Sequence, residues 1–139
     1  MQAKVTCAEG LRFTGHADSG HDVVMDGAVG AGGADSAARP SEMLLLSLAG
    51  CTGMDVLSIL RKKRQSVSSL DVTVTGDQAE DYPALFRNLK VTYVVRGDSV
   101  DPEAVRRAIE LSEEKYCSVG ATLKAPVEIT SDFEIVSAD

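Results

Sequence analysis

The sequence predicts an α+β fold in the order β-β-β-α-β-β-α-α-β, built around one long apolar helix. Three observations carry this expectation. Short alternating segments broken by turn residues fill the stretch up to Asp26. A long apolar run follows Pro40. Two further alternating segments precede an Asp-Pro helix start at Asp101. At 139 residues the chain has the length of one ordinary domain, 1–139, with room for a true core.

The first segments, Met1 to Glu9 and Leu11 to Ala17, alternate around Gly10, and Asp18-Ser19-Gly20 is a turn tripeptide. His21 to Asp26 gives a third short strand, so an antiparallel meander is expected. Gly27 to Arg39 is rich in Gly and Ala without periodicity and reads as a flexible tether or a functional loop. It is not a phosphate cradle, because no Lys follows its glycines and the G-x-G-x-x-G spacing is missing.

Pro40 suits a first helical position, and Glu42 lies at the positive dipole end. From there to about Gln65 the apolar residues Met43 to Leu46, Leu48, Ala49, Met54, Val56, Leu57, Ile59 and Leu60 cover nearly every face, the mark of a buried central helix. Arg61-Lys62-Lys63-Arg64 places cations at its negative end. Leu70 to Thr75, extending toward Glu80, and Leu89 to Val95 alternate and are expected to form a long hairpin around Asp81-Tyr82-Pro83. Asp101 as N-cap with Pro102 next starts a helix that directs Val105, Ala108, Ile109, Ser112 and Tyr116 inward. A short helix is expected over Ser118 to Lys124, and a last strand over Pro126 to Ile135.

The central helix would be roughly 39 Å long at the standard rise. A compact chain of this size has a radius of gyration of about 14 Å. A second copy covering the helix is the economical solution, so an interlocked homodimer is expected. A helix broken at Gly50 or Gly53 is the alternative.

The net charge of -7 argues against a nucleic-acid partner, which needs a basic face, and against a polybasic membrane-surface module. The longest apolar run, Met43 to Ala49, is interrupted by Ser47, so no membrane span is expected. The N-terminus lacks a signal-peptide core, which points to the cytoplasm. Structural disulfides are not expected there, and three cysteines cannot all pair internally. Buried thiols, metal ligands and redox chemistry remain as readings for Cys7, Cys51 and Cys117. There is no Cys-x-x-Cys. The two histidines, His16 and His21, flank a turn without ligand spacing, so neither a metal nor another cofactor is expected.

Cys51 shares a helix face with Ser47, Asp55 and Ser58. Such a polar stripe on an apolar helix is expected to line a cavity, and Gly50 leaves room for a close approach. Ser47, Met54 and Asp55 are the expected pocket residues. Cys117 stands at a helix N-terminus, where the dipole, aided by Lys115, would favour a thiolate. Cys7 has neither feature.

Three segments, Arg39-Pro40-Ser41-Glu42-Met43-Leu44, Leu48-Ala49-Gly50-Cys51 and Glu114-Lys115-Tyr116-Cys117-Ser118, resemble the OsmC/Ohr superfamily of osmotically inducible and organic-hydroperoxide-resistance proteins. The similarity is greatest to its OsmC-like branch. The resemblance implies an intertwined α+β homodimer and a thiol peroxidase of organic hydroperoxides that serves oxidative-stress defence. Cys51 would be the attacking thiolate and Cys117 the resolving thiol, joined as a disulfide that an external dithiol reduces. The family's peroxidases carry a glutamate directly after the helix-starting proline, where this chain has Ser41. Glu42 follows one place later, rotated by about 100°. Their early-turn arginine is also missing from Asp18-Ser19-Gly20-His21. Glu42, Arg39 and, less directly, Arg12 are the candidate helpers. Two other functions fit the same residues: a binding module for a small apolar ligand between protomers, and a thiol redox sensor.

Overall fold

The structure, a computed structural model, describes residues 1–138. Strands β1 (Ala3–Glu9), β2 (Arg12–Ala17) and β3 (Asp22–Met25) form the expected antiparallel meander in the order β1-β2-β3. Its register pairs Val5 with Gly15 and Gly15 with Val23. Gly10 and Gly20 take left-handed φ angles at its two turns.

Gly27 to Arg39 is not a tether. A single 3-10 turn, Val29–Ala31, leads into a loop wound around the buried Asp26 carboxylate. That carboxylate accepts bonds from the amides of Gly27, Ala34 and Ser36, and from Ser36 Oγ at 2.6 Å. A side chain at Gly33 would collide with the Gly27 carbonyl, which explains a glycine there.

Helix α1 (Pro40–Lys62) runs unbroken through Gly50 and Gly53, so the broken-helix alternative fails. Glu42 Oε2 accepts from the Arg39 amide at 3.1 Å and caps its first turn. The helix stops short of Gln65 because Arg64 adopts a left-handed φ of 57°. Strands β4 (Val67–Gln78) and β5 (Phe86–Gly97) make the long hairpin, with Val72 opposite Tyr93. Helix α2 (Pro102–Leu111) begins where Asp101 Oδ1 accepts from the Glu103 amide. Helix α3 (Ser118–Lys124) matches expectation.

The core lies between α1, α2 and the hairpin. Val56, Leu60 and Ala108 are completely buried, and Ile59, Leu70, Val95 and Ile109 surround them. The buried stripe of α1 is Leu48, Thr52, Val56 and Leu60, at helical spacing toward α2 and β4. By length and composition α1 would also suffice to cross a membrane, contrary to the expectation from Ser47. Its packing makes it a core helix of this fold.

Two further expectations are overturned. The run from Ser112 to Tyr116 is a π-helical turn, closed by the Cys117 amide donating to the Ser112 carbonyl at 2.8 Å. The wider turn shifts the helical phase, so Tyr116 faces solvent while Ser112 stays buried. Among the described residues no strand follows Lys124. Residues 126 to 138 carry no regular secondary structure and are exposed, with Ile129, Phe133 and Ile135 each at least 86% exposed. A strand needs a neighbour to pair with, and the described residues present none to that segment.

Candidate active site

Helix α1 carries Cys51 and Asp55 one turn apart, with Thr52 between them on the buried side. The π-helical turn brings the other half of the site to this face. It buries Ser112 against α1 and delivers Cys117 as the N-cap of α3, where the Gly120 amide donates to Cys117 Sγ at 3.3 Å. The Sγ atoms of Cys51 and Cys117 and a carboxylate oxygen of Asp55 all lie within 4.8 Å of one another.

A buried chain of hydroxyls ends on that carboxylate. Ser112 Oγ donates to Asp55 Oδ2 at 2.9 Å. Each hydroxyl has one proton to give. Thr52 Oγ1 must therefore donate to Ser112 Oγ across 2.8 Å, and Tyr93 Oη to Thr52 Oγ1 across 2.7 Å. Every donor points toward Asp55.

Cys51 is half-buried and Cys117 is 5% exposed. Burial pushes the Cys117 thiol above its ordinary value, helped by Cys51 and Asp55, and the Gly120 amide only partly opposes this. The dipole expectation for Cys117 is thus reversed. Lys115 does not assist, because its ammonium sits over the Tyr116 ring at 5.3 Å. Burial likewise raises Tyr93, against the Thr52 bond that lowers it. Two thiols and a carboxylate at this spacing are also a three-ligand set for one small cation.

A cavity of about 420 Å³ opens on Cys117. Leu48, Leu89, Val91 and Leu123 are its apolar lining, and Thr52, Tyr93, Glu113 and Lys124 its polar lining. It is a size and polarity suited to a small, partly apolar molecule.

The family described as "OsmC-like protein" matches residues 32–132. Protein YhfA of Escherichia coli is 44% identical over 99% of this chain and 100% of its own length. The chain belongs to the OsmC-like family. A solved protein from Aquifex aeolicus is 30% identical, with TM-score 0.76 over 88% of this chain and 86% of its own. The organic hydroperoxide resistance protein OsmC of Legionella pneumophila shares the fold at 14% identity, with TM-score 0.61 over 88% of each chain. The α+β OsmC/Ohr fold and the superfamily read from the sequence both stand.

In this OsmC-like chain, Cys51, Asp55 and Cys117 converge, whereas the other expected site residues lie elsewhere. Ser47 is exposed and donates to the Met43 carbonyl at 2.7 Å. Ser58 is exposed. Met54 is 75% exposed and lines a separate groove with Leu46, Leu57 and Val72, because it lies on another face of α1. Glu42 is nine residues before Cys51, about 13 Å of helical rise in a regular first turn. Arg39 holds Glu42 and Asp35, each at 3.0 Å, and its amide and side chain lower the Glu42 carboxyl. Within one chain neither reaches the thiols. Arg12 instead donates to Ser36 Oγ at 2.8 Å. Sequence reasoning missed Thr52 and Tyr93. Thr52 carried a signal, since it sits midway between Leu48 and Val56 on the buried stripe.

Proposed function

We propose that this OsmC-like protein is a cysteine-based peroxidase that reduces small organic hydroperoxides in the cytoplasm, as part of oxidative-stress defence. The observation that carries this reading is the pairing of Cys51 and Cys117, distant in sequence, with sulfurs inside 4.8 Å beside an apolar cavity. The thiolate of Cys51, the more exposed of the two, attacks the hydroperoxide. The O–O bond breaks, an alcohol leaves with a proton, and Cys51 becomes a sulfenic acid. Cys117 then displaces water to form the disulfide, and an external dithiol restores both thiols. The organic hydroperoxide resistance protein of similar fold supports the substrate class.

The working unit in this reading is a homodimer. One chain exposes 10570 Å², where a compact monomer of its mass exposes roughly 7,000 Å². The bare face of α1, at Leu46 and Met54, and the exposed tail supply apolar surface for a second copy.

Two measurements test the peroxidase. Cumene hydroperoxide is consumed with a dithiol reductant, and Cys51→Ser abolishes this. Intact mass falls by about two units after one equivalent of hydroperoxide, as the disulfide requires. Full turnover by Cys51→Ser would overturn the reading. The apolar cavity favours one other function, binding of a small apolar ligand. A Cys51 thiol inert to hydroperoxide would decide for that alternative.

A further inference from the structure

We propose that Asp55 is the proton acceptor for Cys117 when the Cys51–Cys117 disulfide forms, aimed by Ser112 at the end of the one-way hydroxyl chain. The inference deepens the peroxidase reading and rests on its thiol pair. Two independent observations carry it. A carboxylate oxygen of Asp55 stands within 4.8 Å of both sulfurs, the one carboxylate of that cluster. Its orientation is then fixed by the Ser112 Oγ bond, which Thr52 and Tyr93 brace from behind.

The chemistry requires such a group. A buried thiol held protonated is a poor nucleophile, since the thiolate is the attacking form. As Cys117 Sγ attacks the Cys51 sulfenic sulfur, the S–H proton passes to the Asp55 carboxylate. The S–S bond forms, the S–O bond breaks, and the departing oxygen takes that proton and leaves as water. Asp55 ends as it began, having taken up and released one proton. Sulfur is oxidised only in the preceding hydroperoxide step, so resolution needs no further oxidant. Other titratable groups around the pair are Cys51 on α1, Tyr93 on β5, Glu113 in the π-helical turn and Lys124 on α3. Glu113 and Lys124 line the cavity, and Tyr93 is occupied as a donor to Thr52.

The test uses an aromatic disulfide reagent that releases a coloured thiolate, in a Cys7→Ser background to remove the exposed thiol. The reagent caps Cys51 and releases one equivalent. Attack by Cys117 on the mixed disulfide then releases a second. Proton removal from Cys117 is thereby read without any hydroperoxide. In Asp55→Asn the first phase keeps its amplitude, which reports an intact site. The second phase slows by roughly a hundredfold at neutral pH, the ordinary worth of a general base. The deficit shrinks as pH rises toward the elevated Cys117 value, because the thiolate then forms unaided. Ser112→Ala keeps the carboxylate but loses its aim, and gives a smaller slowing with the same pH trend. A second phase at the parent rate in Asp55→Asn would overturn the proposal. So would a slowing equal at every pH, or a parent protein that stops at one equivalent. A protein that passes this test yet consumes no hydroperoxide keeps the role of Asp55 and loses the peroxidase reading.

Discussion

The N-terminal sheet and the helix–hairpin body are held together by opposite means. Every residue of β1 is exposed, and Gly15 is the buried position of β2. The buried side chain of this region is a carboxylate, Asp26, satisfied by four hydrogen bonds. The body is organised instead around Val56, Leu60, Ala104 and Ala108. The difference teaches that the body carries its own hydrophobic core, while the sheet has backbone pairing and a polar loop but, among the described residues, no buried apolar cluster of its own. The tail beyond Lys124 shares that condition. Cleavage of this dependence is the largest expected effect. A chain ending at Ala125 loses the exposed Val127, Ile129, Phe133 and Ile135, and is expected to sediment as a monomer at low micromolar concentration where the full chain sediments as a dimer. A full-length chain that is itself a compact monomer would remove the basis of the comparison.

A deletion inside the body acts locally and without the partner. Leu60 is completely buried beside Val56 and Ala108. Leu60→Ala is expected to cost about 2–5 kcal/mol, the range for a buried leucine that leaves a cavity. Denaturant unfolding of the truncated and full-length backgrounds checks it. The same loss in both would show that this core belongs to one chain. A much smaller loss in the truncated chain would show that the body, too, depends on the second copy.

The body was the more legible half in the sequence. Pro40, Asp101-Pro102 and the alternation of Leu70 to Thr75 mark their elements through local physics, and local physics survives folding. Cys51 and Asp55 were legible for the same reason, being one helical turn apart. What failed was non-local. Tyr116 was expected inward because helical phase was extrapolated through a π-helical turn that no composition announces. Met54 was expected at the site because an all-round apolar helix does not say which face the chain itself covers. Asp26 read as the end of a strand, although its four donors come from a loop that looked unstructured. The segment from Pro126 has strand-like residues, but pairing is a property of a neighbour, not of the segment.

The polar centre of the N-terminal region makes it the acid-sensitive half. The Ser36 hydroxyl foremost, then the amides of Ser36, Gly27 and Ala34, hold the Asp26 carboxyl below its ordinary value. The sign follows: its contribution is complete above the ordinary aspartate range near about 3.9 and is lost as pH falls through the lower folded value. Asp26→Asn removes the charge and one acceptor oxygen, and is expected to open the loop between Gly27 and Arg39 to protease while Leu60 and its neighbours keep their hydrogen-exchange protection. Equal loss of protection in the body would show that the loop supports both regions.

The smallest effect is expected at Cys7. It lies on β1 opposite Phe13, exposed, with its thiol reaching the Gly10 carbonyl at 3.4 Å. An exposed thiol of this kind packs on little, so on Cys7→Ser exchange stability is expected to stay within about 0.5 kcal/mol, and hydroperoxide turnover to stay unchanged. Its value is as a reporter on the bare sheet. A maleimide reaches an exposed thiol freely, and reaches it slowly where a second copy lies across β1. Labelling of Cys7 that slows as protein concentration rises through the dimerisation range would place the missing partner surface of the N-terminal sheet on the other protomer. Labelling that is fast at every concentration would show that β1 stays bare in the dimer, and would leave the tail and the outer face of α1 as the surfaces that the second copy covers.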